Sequence, residues 1–184
     1  MAEVQWLDEE EARAWRSFIR MSDVLRTQLA RDLQQESGLS EADYAVLVQL
    51  SDEPEGRLRM TDLATRMLWS KSRLSHQIGR MESRGLVRKE DCPSDARGAF
   101  AALTPAGFAE IRRAAPAHVE SVRRHFINLL NSEQLAQLGL ISDRVLSHLM
   151  SLGVPDELTA AGATKPCPTA DLRPTPDAQR LGGS

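Results

Sequence analysis

Behind Ser70, Lys71 and Ser72, the chain gathers Arg73, His76, Gln77, Arg80 and Arg84 into one short stretch. Taken as a helix at about 100° per residue with Arg73 at 0°, Arg84, Gln77, Arg80 and His76 fall at roughly 20°, 40°, 340° and 300°. Met81, Leu74 and Ile78 fall near 80°, 100° and 140°. A stripe of hydrogen-bonding side chains thus runs beside an apolar stripe that can seat the helix on a core. The chemistry available to the polar stripe is base-edge recognition. Arginine can bond guanine through two donors, and glutamine can do the same with adenine. Ser70 and Ser72, with the free N–H groups of a helix start, suit phosphate oxygens. An ordinary amphipathic helix with a solvated basic face has the same pattern, so the surrounding elements must decide.

Those elements are legible from local signals. Residues 7 to about 37 predict a long helix, with Asp8 as N-cap, Glu11 completing a capping box and Gly38 as the stop. Trp15, Phe18, Ser22, Leu25, Leu29 and Leu33 form its apolar stripe. Ser40 to Asp43 predict a second cap, leading into the buried-looking run of Tyr44, Leu47, Val48 and Leu50. Residues 58–60 suit a short strand, and Thr61 is expected to cap a helix over 61–68. Trp69 and Ser70 make a brief break before a helix over 71–84, stopped by Gly85. Residues 86–90 and 98–103 predict a β-hairpin with a longer loop, the alanine-rich second strand being the weaker one. Thr104-Pro105 starts a helix expected to run to about 130 and to bend at Pro116. Ser132 opens the last helix, whose stripe is Leu135, Leu138, Ile141, Val145 and Leu149.

The net charge of −3 over 184 residues conceals a strong asymmetry. Residues 57–98 hold ten basic and five acidic side chains, a balance of +5, whereas the rest carries 13 basic against 21 acidic, or −8. A basic module in an acidic chain fits a local polyanion site, although charge alone equally describes a solvated face. The acidic N-terminus is the reverse of a secretory leader, and no apolar run approaches a membrane span, so a soluble cytoplasmic protein is expected. Cys92 and Cys167 belong to no CxxC pair. Cys92 sits among acids, which raise a thiol pKa and disfavour a redox role. His118 and His125 stand two helical turns apart with no ligand cluster beside them. No metal or cofactor is therefore expected. Residues 153–184 contain five of the nine prolines and few large apolar side chains, and are read as a disordered tail.

Two short helices with a tight break, followed by a basic hairpin, form a helix-turn-helix with a wing. Asp95-Ala-Arg97 leads through a strand into Leu103-Thr104-Pro-Ala-Gly107, and Ser70-Lys-Ser72 precedes the second helix while Gly85-Leu86-Val87 follows it. In these motifs, and in helix layout over about residues 10 to 150, the chain resembles the MarR family. The resemblance implies a mainly α fold: a winged helix-turn-helix domain over 40–103, dimerisation helices over 1–39 and 104–151, and a tail over 152–184. It also implies a homodimer that presents two recognition helices to a pseudo-palindromic double-stranded DNA site, usually as a repressor. Ser70, Ser72, Arg73, Ser75, His76, Gln77 and Arg80 become recognition-helix contacts. Lys71 and Arg84 complete the DNA-binding candidates. Arg97 becomes the wing contact, held outward by Asp95. His76 departs from the arginine common at its position.

MarR-like regulators often release DNA when a small aromatic or phenolic ligand binds between the dimer helices and the winged domain. Trp15, Phe18, Tyr44 and Met67 are the candidates for such a crevice, and plain core packing is the alternative for each. The alternative for the whole module is protein contact or a nucleoid-architectural role, which binding without sequence preference would mark. The chain has no nucleophile elbow, P-loop or metal motif, so no enzyme activity is expected.

Overall fold

A computed structural model describes residues 4–92 and 95–152, with backbone alone at 92 and 95–97. The expected tail lies outside the described residues. The first helix, α1 (Glu9–Ser37), begins as its local chemistry dictates. Glu11 N–H donates to Asp8 (2.8 Å) while Asp8 N–H donates to Glu11 (3.0 Å). At its end Gly38 takes φ +73°, the left-handed cap conformation that favours glycine. The second helix, α2 (Glu41–Ser51), starts from a Ser40–Asp43 capping box and buries Tyr44, Val46, Leu47 and Leu50.

Strand β1 (Arg57–Arg59) passes directly into α3 (Met60–Arg66). Thr61 is therefore not the cap. Met60 is already helical, the capping position falls to Arg59 without a side-chain bond, and the Thr61 hydroxyl turns to Asp62 instead. Helix α4 (Lys71–Ser83) is capped by Ser70, whose Oγ accepts from Arg73 N–H at 3.2 Å. The hairpin is β2 (Val87–Cys92) and β3 (Asp95–Leu103), and the antiparallel sheet has the order β1-β3-β2. Its alanine-rich strand is the central one. Ala101 pairs with both Leu58 and Lys89 and is fully buried. Neighbours on both sides supply what alanine's weak strand preference lacks, and its small side chain lets the helices approach.

Helix α5 (Pro105–His125) starts at Thr104, whose Oγ accepts from Gly107 N–H (2.9 Å) and donates to the Gly85 carbonyl (2.6 Å). It remains helical through Pro116 but ends five residues short of the expected limit. Phe126 leaves helical geometry (φ −141°), and a short 3₁₀ turn over Ile127–Leu129 follows. The last helix, α6 (Ser132–Ser151), is capped by Asn131 with Gln134 completing the box.

The core lies among α2, α3, α4, the inner sheet face and α5, where Leu47, Leu50, Leu63, Leu74, Ile78, Met81 and Ile111 are fully buried. By contrast no residue of α6 is buried, and Ile141, Val145, Leu146 and Leu149 are exposed. The apolar stripe of α1 divides. Leu33 is buried, but Trp15 and Phe18 are exposed.

Helices α1 and α5 are tied by a polar clasp that sequence periodicity did not reveal. Asp32 accepts from Ser121 Oγ (2.5 Å) and Gln28 Nε2 (2.7 Å), and meets His125 Nε2 at 2.9 Å. The Ser121 hydroxyl, opposed by burial and aided by His125 and Gln28, holds the Asp32 carboxyl below its ordinary value. A carboxyl depressed on folding stabilises fully above its unfolded value, about 3.9, and that contribution is lost as pH falls through the lower folded value. Asp32→Asn should therefore lower the urea midpoint at pH 7, and the gap to the parent should close as pH falls below about 4. A gap that stays constant from pH 7 to pH 3 would show that the clasp does not act through the charged carboxylate.

Candidate nucleic-acid interface

Helix α4 follows α3 through a tight turn in which Leu68 takes φ +57°, the only positive φ at a non-glycine among the described residues. The turn exposes Leu68 and half-buries Trp69. The Arg73 guanidinium stacks 4.3 Å from the centre of the Trp69 ring, within range of a cation–π attraction. Sequence reading treated Trp69 only as a break. Its aromatic face one turn before an arginine was the available signal.

The buried face of α4 is Leu74, Gln77, Ile78 and Met81. Gln77 is thus a correction to the sequence wheel. It is 2% exposed, and its Nε2 donates to Asp43 at 2.6 Å while its Oε1 accepts from Arg80. An amide so engaged is not on the surface that meets a groove. With Gln77 inside, the buried face centres near 90° on the same wheel and the outward pole near 270°. Ser72 and Ser83 lie closest to that pole, about 10° away, with Gly79 and His76 about 30° to either side of it, while Arg80 and Arg73 stand on one flank, about 70° and 90° away. Lys71, Ser72, Arg73, Ser75, His76 and Arg80 are all exposed, as is Ser70.

Arg84 sits just past the helix end and pairs with Asp43. Asp43 also accepts from Ser40 N–H (3.0 Å) and Ser40 Oγ (2.7 Å). Burial pushes this carboxyl up, but the bonds from Ser40 and Arg84 prevail and hold it below its usual value. One carboxylate therefore closes the cap of α2 and fixes the rotation of α4. Sequence reading found the capping role and missed the second, because the partners lie 34 and 41 residues away.

The wing is formed by β2 and β3, with a register shift between Asp91 and Cys92. The side chains of Cys92, Asp95 and Arg97 lie outside the described residues. On the outer sheet face, Arg57 and Arg59 both stack on Phe100, at 5.1 and 5.3 Å from the ring centre. Sequence reading assigned these arginines no role beyond charge.

An open crevice of about 960 Å³ lies between the second half of α1, α2 and the α3–α4 turn. Tyr44 and Met67 line it, as do Trp69, Arg73 and His118. Trp15 and Phe18 do not. They lie earlier on the same stripe of α1, exposed, with ring centres 6.2 Å apart. His118 packs its ring 4.5 Å from that of Tyr44, and its Nδ1 is buried with no hydrogen-bond partner among the described residues. Burial pushes the His118 ring below its ordinary pKa, which favours the neutral form.

Comparison with known proteins agrees with this architecture. Residues 37–98 match a family model described as MarR family. The chain is similar to AbsC, a MarR family transcriptional regulator from Streptomyces coelicolor, at 48% identity and a TM-score of 0.76, over 80% of this chain and 99% of that one. It is similar to Sco3205 of the same organism, a MarR family regulator solved in complex with DNA, at 44% identity and a TM-score of 0.76, over 81% and 93% of the two chains. Among curated sequences, the transcriptional regulator HosA of Escherichia coli is 29% identical over 119 residues, 65% of this chain and 86% of that protein. With a mainly helical fold, a three-stranded wing sheet and relatives of this similarity, the chain belongs to the MarR family of winged helix-turn-helix transcriptional regulators.

Proposed function

We propose that the chain is a homodimeric, sequence-specific regulator of transcription, most simply a repressor, that binds a pseudo-palindromic site in double-stranded DNA within the cytoplasm. The observation that carries this reading is α4. It is a helix capped by Ser70 with its apolar face sealed into the core and an exposed surface of Ser72, Ser75, His76, Arg73 and Arg80. In this reading residues 40–103 form the DNA-binding domain, and residues 1–39 and 104–151 supply the dimer helices. Ser70, Lys71 and Ser72 meet phosphate, His76 and Arg80 meet base edges, Arg73 reaches from the flank, and Arg97 of the wing enters the minor groove. Arg84 supports α4 through Asp43 rather than touching DNA. No catalytic role is assigned.

The crevice is proposed as the effector site. Its aromatic lining and the unpartnered Nδ1 of His118 suit a small aromatic or phenolic molecule. Trp69 and Arg73 border both the crevice and α4, so an occupant there acts on the recognition helix directly.

The test is selection of genomic fragments by the purified chain at near-physiological salt. An inverted repeat with half-sites about 10 base pairs apart supports the reading. Fragments without any shared motif would instead favour an architectural role. On the recovered site, Arg80→Ala should cost about 1–3 kcal/mol and relax the preference at one base position, whereas Arg97→Ala should weaken all sequences alike and reduce the salt slope by about one. Parental affinity and slope in both variants would remove the groove assignment.

A further inference from the structure

We propose that the buried Gln77 is a positioning residue for DNA recognition: its amide, oriented by Asp43, holds the Arg80 guanidinium in the conformation that meets a base edge. The inference rests on the reading of α4 as the recognition helix and of Arg80 as a base contact.

The buried face of α4 is otherwise apolar, made of Leu74, Ile78 and Met81. For seating the helix alone, an apolar side chain of similar length, such as methionine, would serve at position 77. An amide buried there is costly unless both of its ends are bonded. Asp43 does not require it. That carboxylate already accepts from Ser40 N–H (3.0 Å), Ser40 Oγ (2.7 Å) and Arg84. What the glutamine adds is at the other end of its amide, where Oε1 accepts from Arg80.

The chemistry of the three groups fixes the direction of this chain of bonds. A carboxylate only accepts, so the end of the Gln77 amide that faces Asp43 must be its amino group, and Nε2 donates there at 2.6 Å. The carbonyl oxygen is left at the other end, and a guanidinium, which only donates, is the partner that fits it. Turning the amide over would set oxygen against oxygen at one end and N–H against N–H at the other. The bond to the carboxylate also polarises the amide and strengthens its carbonyl as an acceptor. Arg80 lies three residues on and is exposed. A guanidinium has five N–H donors, so one bonded to Gln77 leaves enough for the two bonds of a guanine edge. A bidentate pair needs a set orientation, and an arginine that is already held gives up less rotamer freedom on binding. Arg73 is held differently, by the Trp69 ring at 4.3 Å, and does not depend on Gln77.

The experiment compares the full-length parent with Gln77→Met, Arg80→Ala and the double variant. The probes are the duplex recovered by selection, the same duplex changed in both half-sites at the base pair where Arg80→Ala relaxes the preference, and a scrambled duplex of equal length. Gln77→Met should cut discrimination between the first two by about two- to tenfold per half-site, the scale of freeing one rotamer-rich side chain. It should bind the scrambled duplex as the parent does, and in the Arg80→Ala background it should cause no further loss. Parental discrimination in Gln77→Met would overturn the inference. So would the same loss with and without Arg80, or an equal loss of affinity for all three duplexes, either of which would leave Gln77 a purely structural residue. In the unaltered protein free of DNA, the Arg80 Nε–H group should show an NMR order parameter above about 0.6. A lower value marks a flexible group and would overturn the inference even if Gln77→Met did not fold. An Arg80→Ala variant that reads every base pair as the parent does would strike the base-contact reading itself, and this inference would fall with it.

Discussion

Gly107→Ala should destabilise the fold by about 3 kcal/mol or more, at the upper end of what overpacking one methyl costs. A Cβ at this position would lie 1.9 Å from the Leu86 carbonyl oxygen and 2.9 Å from its carbon, with Leu103 Cδ2 at 3.1 Å. The obstacle is backbone, and it is pinned. The Leu86 oxygen accepts from Thr104 N–H (3.2 Å) and Thr104 Oγ (3.1 Å), and the same hydroxyl caps Gly107 N–H. Moving the carbonyl away breaks the cap of α5. Moving α5 instead disturbs Ile111 and Ala114, both buried in the core. At about 2–4 °C per kcal/mol for a chain of this size, the melting temperature should fall by roughly 10 °C. A fall of only a degree or two would mean that α5 can tilt off the wing without loss. The threonine and glycine of the Leu103-Thr104-Pro-Ala-Gly107 motif thus have one shared physical reason. The threonine stitches the wing to the helix start, and the glycine permits the close approach.

That motif illustrates what was readable in the sequence and what was not. Caps are settled within three or four residues, so Asp8, Ser40, Ser70 and Thr104 were found at their observed places. Thr61 failed as a cap because the β1 strand feeds straight into α3, a decision made by pairing with β3 some forty residues later. The wheel of α4 placed its apolar residues correctly and Gln77 wrongly for the same reason. Residue type predicts burial for Leu74 and Ile78, but a glutamine is buried only if a partner waits for it, and Asp43 is remote in sequence. The Asp32–Ser121–His125 clasp was equally invisible, its members lying about ninety residues apart. Trp15 and Phe18 were drawn to the crevice by their aromatic character. They share the helical phase of Ser22, Leu25, Leu29 and Leu33, which line it, but they lie earlier along α1 and are exposed, so the question becomes what covers them.

The answer proposed here, a second copy of the chain, makes the second large prediction. Val145→Glu should convert the dimer to a monomer at micromolar concentration and remove most of the affinity for a two-half-site duplex. Helix α6 has twenty residues and none is buried. A helix without tertiary packing is marginal in water, so α6 needs a surface to lie on. It presents Ile141, Val145 and Leu149 at successive turns, and α1 exposes Trp15, Phe18 and Ile19. Soluble monomers rarely expose contiguous apolar patches larger than a few hundred Å². A two-fold interface would contain Val145 once from each copy, so one substitution places two carboxylates in an apolar seam. A desolvated, unpaired charge costs several kcal/mol, and about 4 kcal/mol is already a thousandfold in the dimer constant. Because α6 contributes nothing to the buried core, the winged domain should keep its fold, and the loss should be one of assembly. Sedimentation would read it directly. The parent's melting temperature should also rise with protein concentration while the variant's should not. A duplex carrying a single half-site should then bind parent and variant with similar, weak affinity. A variant that still sediments as a dimer would place the subunit contact elsewhere and leave the apolar faces of α1 and α6 to another partner.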